Sequence, residues 1–122
     1  MAGRKVLVID DDVSITLLTR SVLNMHGYEV SEFNDTRTAL ARIAEIPFDL
    51  VLADIMMPDM NGVDFIREVR KSALNAGARC ILLSGKRLTE EDRREIFDLG
   101  AEIMPKPFMP QKLVEKVGEL LG

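Results

Sequence analysis

The chain has 122 residues, about the size of one domain, with 47% hydrophobic and 30% charged residues. A net charge of −4, with no block of five or six Lys and Arg, excludes the electrostatic footprint of a direct nucleic-acid binder. The single cysteine, Cys80, excludes an intramolecular disulfide, and no apolar stretch is long enough for membrane insertion, so a cytoplasmic location is expected.

Short apolar runs alternate with longer amphipathic stretches, with no internal repeat and no linker. Met1 to Lys5 is basic, but the apolar run that follows is too short for a secretory leader. Lys5–Ile9 reads as a first buried strand. The helix predicted from Val13 to His26 places Ile15, Leu18, Val22 and Met25 on its inner face and stops at Gly27. His26, at that helix end, reads as a partly exposed residue and not as a relay histidine. Tyr28–Phe33 forms a second strand. Asp35 then caps a helix with Ala39, Leu40, Ile43 and Ala44 inward, ended by Pro47. Asp49–Ala53 is the third strand, and a third helix from Val63 to Asn75 buries Phe65, Ile66, Val69 and Leu74. The fourth strand, Cys80–Ser84, holds the cysteine in an apolar run, where it reads as an inert core residue. Thr89 to Asp92 has the pattern of a capping box, and the helix after it turns Ile96, Phe97 and Leu99 inward before Gly100. Ala101–Met104 is the last strand. Pro110 suits the first turn of a final helix with an apolar stripe of Leu113, Val117, Leu120 and Leu121.

Five strands alternating with five helices predict an α/β, doubly wound parallel sheet with helices on both faces. Ligands of such sheets bind beyond the carboxyl ends of the strands, where the strand order reverses. Those ends hold groups an apolar strand does not predict: Asp10-Asp11-Asp12, Asp54, Ser84-Gly85 and, after the fifth strand, Lys106-Pro107-Phe108. Taken singly, an acid after the first strand can merely cap a helix, Ser84 can satisfy a strand end, and Lys106 can be a solvated surface residue. Taken together they are costly, because two carboxylates ~4 Å apart repel by about 4 kcal/mol at an effective dielectric near 20. One ammonium cannot balance Asp10, Asp11 and Asp54. A hard divalent ion can, and the all-oxygen set points to Mg²⁺ or Mn²⁺ and away from zinc. An ion beside a carboxylate, a hydroxyl and a lysine suits phosphoryl transfer, with aspartate able to serve as nucleophile.

These segments resemble the response-regulator receiver domains of two-component, histidine–aspartate phosphorelay signalling. Val6 to Asp12 resembles the first strand and acid pair, and Asp54 to Gly62 the acceptor aspartate and its loop. Ile81 to Gly85 resembles the switch-hydroxyl segment, and Lys106-Pro107-Phe108 the lysine with its proline. The resemblance covers the whole chain, 1–122, as one receiver domain. It implies a flavodoxin-like (βα)5 fold with strand order 2-1-3-4-5. It also implies Mg²⁺ held by Asp10, Asp11, Asp54 and the backbone carbonyl of Met56, with Mn²⁺ able to substitute. Asp54 is then the phosphoacceptor, Ser84 and Lys106 contact the phosphoryl group, and the Lys106–Pro107 bond is cis.

The resemblance further implies a signalling switch and not a conventional enzyme, catalysing only its own phosphotransfer and its own slow dephosphorylation. The donor is a sensor histidine kinase or histidine phosphotransfer protein. The output is a changed surface of the fourth helix, fifth strand and fifth helix, read by a downstream effector protein. A monomer or weak dimer is expected, and no output domain is expected within the chain. One departure stands out: Ile103 occupies the switch position where the family usually has an aromatic residue. Switching is therefore expected through Ser84-Gly85 and the fourth helix. Lys86 adds a long cation near the site and, with Met56, is expected to set the lifetime of the acyl phosphate.

Three rival readings are weaker. Asp10-Asp11-Asp12-Val13 fits the start of a haloacid-dehalogenase-type phosphatase, but the segment after Lys106 lacks further acidic ligands. A receiver-like docking module without phosphorylation would have no use for every acid, the hydroxyl and the lysine. A flavodoxin-type FMN carrier needs a Ser/Thr/Gly-rich phosphate loop where this chain has three aspartates.

Overall fold

The computed structural model describes residues 3–121. Met1, Ala2 and Gly122, and with them part of the basic start, lie outside the described residues. Among the described residues, strands and helices alternate in the order β1 (Lys5–Ile9), α1 (Val13–Met25), β2 (Glu29–Phe33), α2 (Thr36–Glu45), β3 (Leu50–Asp54), α3 (Gly62–Lys71), β4 (Arg79–Ser84), α4 (Glu90–Asp98), β5 (Ala101–Pro105), α5 (Pro110–Leu121). All strand pairs are parallel, and the order across the sheet is β2-β1-β3-β4-β5. The predicted doubly wound α/β fold is therefore the observed one.

The continuous apolar runs follow from a sheet buried on both faces. Successive side chains point to opposite faces, so Leu7 and Ile9 join one core with Ala39, Ile43, Phe65, Ile66, Leu82 and Ile96 of the α2, α3 and α4 side. Val6 and Val8 join the other, with Leu23, Leu50, Leu52, Ile81, Leu113 and Val117 on the α1 and α5 side. Val6 through Ile9 are all fully buried. Cys80 lies in the core, and burial pushes its thiol up to about 11, which makes it unreactive.

Several helix faces differ from the sequence expectation. In α1 the buried residues are Thr16, Thr19 and Leu23, one position round from the stripe of Ile15, Leu18, Val22 and Met25. Met25 is 83% exposed. Apolar periodicity misses this face because two of its members are threonines, both fully buried, with the Thr16 hydroxyl donating to the Val13 carbonyl at 3.0 Å. In α4 only Ile96 is buried; Phe97, its neighbour, turns about 100° away and is 81% exposed. Ala44 faces solvent, as does Leu74 beyond the end of α3.

The third helix stops at Lys71, four residues before the expected end, because Asn75 serves a different purpose. Its buried amide donates to the carbonyls of Ile43 (2.7 Å) and Ile46 (2.8 Å), and its oxygen accepts from Phe48 N–H at 2.7 Å. Asn75 thereby satisfies the C-terminal end of α2, where carbonyls lack helical partners. Asn75→Leu is expected to cost about 3 kcal/mol or more, since each stranded buried group costs ~1–3 kcal/mol. Among the described residues, Thr19 Oγ1 is the buried side-chain atom without a hydrogen-bond partner. Thr19→Val should accordingly raise stability by about 1 kcal/mol, the reverse of the Asn75 effect, both read as urea midpoints.

Candidate functional site: an acidic crevice at the switch point

The strand order reverses between β1 and β3, which opens a crevice beyond their carboxyl ends. Ile9 pairs with Ala53, so the next residues, Asp10 and Asp54, emerge side by side. Asp54 is in turn opposite Leu83, and Ser84 is opposite Pro105, which sets Lys106 one step past the sheet. The Lys106 N–H donates to the Ser84 carbonyl at 2.8 Å. The Lys106–Pro107 peptide bond is cis.

Asp10 is fully buried and Asp54 is 3% exposed. Lys106 Nζ reaches both, at 2.9 Å from Asp10 Oδ2 and 3.2 Å from Asp54 Oδ1. Asp11 is exposed, yet carboxylate oxygens of Asp10, Asp11 and Asp54 lie within 4.8 Å of one another. Burial, and then the Asp10 charge, push the Asp54 carboxyl above its ordinary range despite Lys106. For Lys106, burial opposes the charged form, but the Asp10 hydrogen bond and the two carboxylates outweigh it and hold the ammonium's pKa up. One ammonium facing three carboxylates leaves the crevice under-neutralised. The donor set is all oxygen, clustered and short of positive charge, so it suits a hard divalent cation.

Asp12 takes the capping role: its carboxylate accepts from Ser14 N–H (2.9 Å) and Ser14 Oγ–H (2.6 Å), which holds its pKa down. Ser84 is nearly buried, and its hydroxyl closes a small ring within the next loop. It donates to the Lys86 carbonyl at 2.9 Å and accepts from Lys86 N–H at 3.3 Å. Met56 and Lys86 are exposed at the rim. Ile103 is half-buried and packs against the core beneath α4.

Asn61 and Gly62 close the segment that resembles the acceptor loop, and no sequence pattern gave either a role. Asn61 caps α3, its oxygen accepting from Val63 N–H (2.8 Å) and Asp64 N–H (3.1 Å). Gly62 N–H donates to the Ile55 carbonyl at 2.9 Å, and a Cβ there would lie 2.3 Å from the Asp54 carbonyl oxygen. Only glycine allows α3 to start that close to the Asp54 backbone. Also missed were Asn34 and Thr36, whose side chains bond to the loops on either side of the crevice.

Such a sheet with an acidic crevice at its switch point defines a flavodoxin-like fold, as structural likeness bears out. The chemotaxis protein CheY4 of Vibrio cholerae superposes with a TM-score of 0.91 at 32% identity, covering 98% of this chain and all of that one. A CheY-like receiver domain protein of Methanospirillum hungatei gives 0.89 at 32% identity, over 98% of this chain and 94% of the other. The family model for the response regulator receiver domain matches residues 6–118. The CpxR homolog of Haemophilus influenzae is 33% identical over 96% of this chain and 50% of its own length. The phosphate regulon regulator PhoB of Pseudomonas aeruginosa is 32% identical over 99% and 53%. The chain belongs to the response regulator receiver domain family. It spans about half the length of the curated relatives it matches. No described helix is long and apolar enough to cross a membrane.

The raised Asp54 pKa has a consequence for stability. Between the unfolded value near 3.8 and the raised folded value, the folded state binds more protons, so stability falls as pH rises through that window. Asp54→Asn removes the charge that is penalised. The variant is expected to unfold at higher urea than wild type at pH 7, and to lose that advantage below the unfolded pKa. Equal midpoints at pH 7 would contradict the charge account.

Proposed function

We propose that this chain, residues 1–122 acting as one receiver domain, is a phosphorylation-dependent switch whose acceptor is Asp54. The observation that carries the reading is the Asp10–Asp11–Asp54 cluster with Lys106 Nζ between two of its members. Asp10, Asp11, Asp54 and the Met56 backbone carbonyl would hold Mg²⁺ or Mn²⁺, which supplies neutralisation of the cluster and of the phosphoryl oxygens. Asp54 attacks the phosphorus of a phosphohistidine on a sensor kinase or phosphotransfer protein. The P–N bond breaks as the P–O bond forms, and the leaving imidazole keeps the bonding pair and takes up a proton. Lys106 pairs with a phosphoryl oxygen, and Ser84 turns its hydroxyl from the Lys86 carbonyl toward another. Such transfer needs positioning and charge neutralisation more than acid–base groups.

The same turn of Ser84 releases the β4–α4 loop. Helix α4 is lightly held: Ile96 is its one fully buried side chain, and from α3 come the Arg67–Glu95 ion pair and an Arg70 Nε–H bond to the Leu99 carbonyl at 2.8 Å. With Ile103 in place of an aromatic residue, the change runs through Ser84–Lys86 into α4 and not through a rotating ring. Exposed Phe97 on α4, and a groove of about 490 Å³ between β5 and α5 lined by Ile103, Pro105, Phe108 and Met109, offer apolar contact to an effector protein.

Incubation with a small acyl phosphate should add one phosphoryl group to the intact mass. The gain should require Mg²⁺ and be absent in Asp54→Asn; a gain in that variant would refute the assignment. Lys86 lies two residues beyond Ser84, and on this reading its long cation shields the phosphoryl group from attacking water. Lys86→Ala should therefore lose the group faster, by about twofold or more, in a mass-resolved decay. An unchanged decay would remove Lys86 from the account.

A further inference from the structure

We propose that Asn34 and Thr36 are positioning residues for divalent-ion binding, setting from one short turn the two loops that carry the ligands. The inference rests on reading Asp10, Asp11 and Asp54 as a metal site.

Asn34 directly follows β2, beside the end of β1. Its Nδ2 donates to the Asp10 carbonyl at 2.9 Å and to Thr16 Oγ1 at 3.0 Å. Thr16 is fully buried and its hydroxyl is spent on the Val13 carbonyl, so it offers Asn34 a fixed acceptor. The Asp10 N–H meanwhile donates to the Phe33 carbonyl at 3.2 Å. The Asp10 backbone is thus held on both sides from the β2 end. The carbonyl that Asn34 grips belongs to the peptide leading into Asp11, whose exposed carboxylate takes its direction from that peptide.

Two residues on, Thr36 does the same for the opposite loop. It is 5% exposed, and its Oγ1–H and N–H donate to Asp59 Oδ2 at 2.6 and 3.3 Å. Asp59 sits in the loop between Asp54 and α3 that contains Met56. That loop is closed at its far end by the Gly62 N–H bond to Ile55, so Thr36 is the tie near its middle.

Neither side chain is needed to build α2. Asp35, between them, caps that helix through Thr38 N–H at 2.9 Å. Cutting the Asn34 and Thr36 side-chain bonds leaves the cap and both cores intact and frees only the ligand-bearing loops. Outer partners that orient metal ligands commonly govern affinity in this way.

The test is calorimetric titration of Mg²⁺ into the unphosphorylated chain, with urea unfolding run on every variant. Asn34→Ala should weaken Mg²⁺ binding about tenfold and Thr36→Val several-fold. Thr36→Ser, which keeps the hydroxyl, should bind as wild type does, as should Thr38→Ala, which touches only the cap. Phosphorylation of both weakened variants at saturating Mg²⁺ should approach the wild-type rate, a split that a general loss of structure would not produce. Should Asn34→Ala not fold, the Thr36→Val and Thr36→Ser pair decides alone. Wild-type binding with both weakened variants within about twofold of it would overturn this inference and leave the metal site standing. Absence of Mg²⁺ binding in the wild type would overturn both.

Discussion

The ammonium of Lys106 lies between two buried carboxylates, 2.9 Å from Asp10 and 3.2 Å from Asp54, and the rest of the crevice is arranged around that contact. Two like charges buried side by side persist only with compensation, and a single lysine supplies part of it. The shortfall appears as the raised Asp54 carboxyl. Parallel register creates the problem by bringing Asp10 and Asp54 out of adjacent strands. The β4–β5 register supplies the remedy by placing Lys106 one residue past the pair Ser84 and Pro105.

The loops then hold this geometry without covering it. Gly62 lets α3 begin against the Asp54 backbone, Asp12 spends its charge on capping α1, and the Ser84 hydroxyl is occupied by Lys86. The site is preorganised in its acids and its lysine, and adjustable in its hydroxyl. That division suits the proposed phosphorylation-dependent switch, with α4 anchored by Ile96 and two arginine ties from α3.

What was legible in the sequence follows the same physics. Fully buried parallel strands read as unbroken apolar runs, so β1, β3 and β4 were found within a residue of their observed ends, and the polar groups just beyond them marked the crevice. The cluster of Asp10, Asp11 and Asp54 could then be expected, while the strand order was implied by the resemblance to receiver domains. The inner face of α1 was not legible, because Thr16 and Thr19 carry the buried positions and a hydrophobicity pattern cannot tell a buried threonine from an exposed one. Asn75 was hidden for a related reason: its value lies in three backbone groups of the α2–β3 connection, about thirty residues away in sequence. Asn34 and Thr36 act through contacts of long sequence separation that no local pattern announces. Phe97 shows the converse, an aromatic residue beside a core position that the helix turns outward.

The crevice is short of positive charge, and on the proposed reading a divalent cation completes it. The most direct measurement is the urea midpoint of the unphosphorylated chain against Mg²⁺ concentration at neutral pH, for wild type, Asp10→Asn and Asp54→Asn. An ion bound only by the folded state raises stability with its concentration. The midpoint should climb with Mg²⁺ in wild type and much less in either variant. A wild-type midpoint indifferent to Mg²⁺, or a climb of equal size in all three proteins, would contradict it.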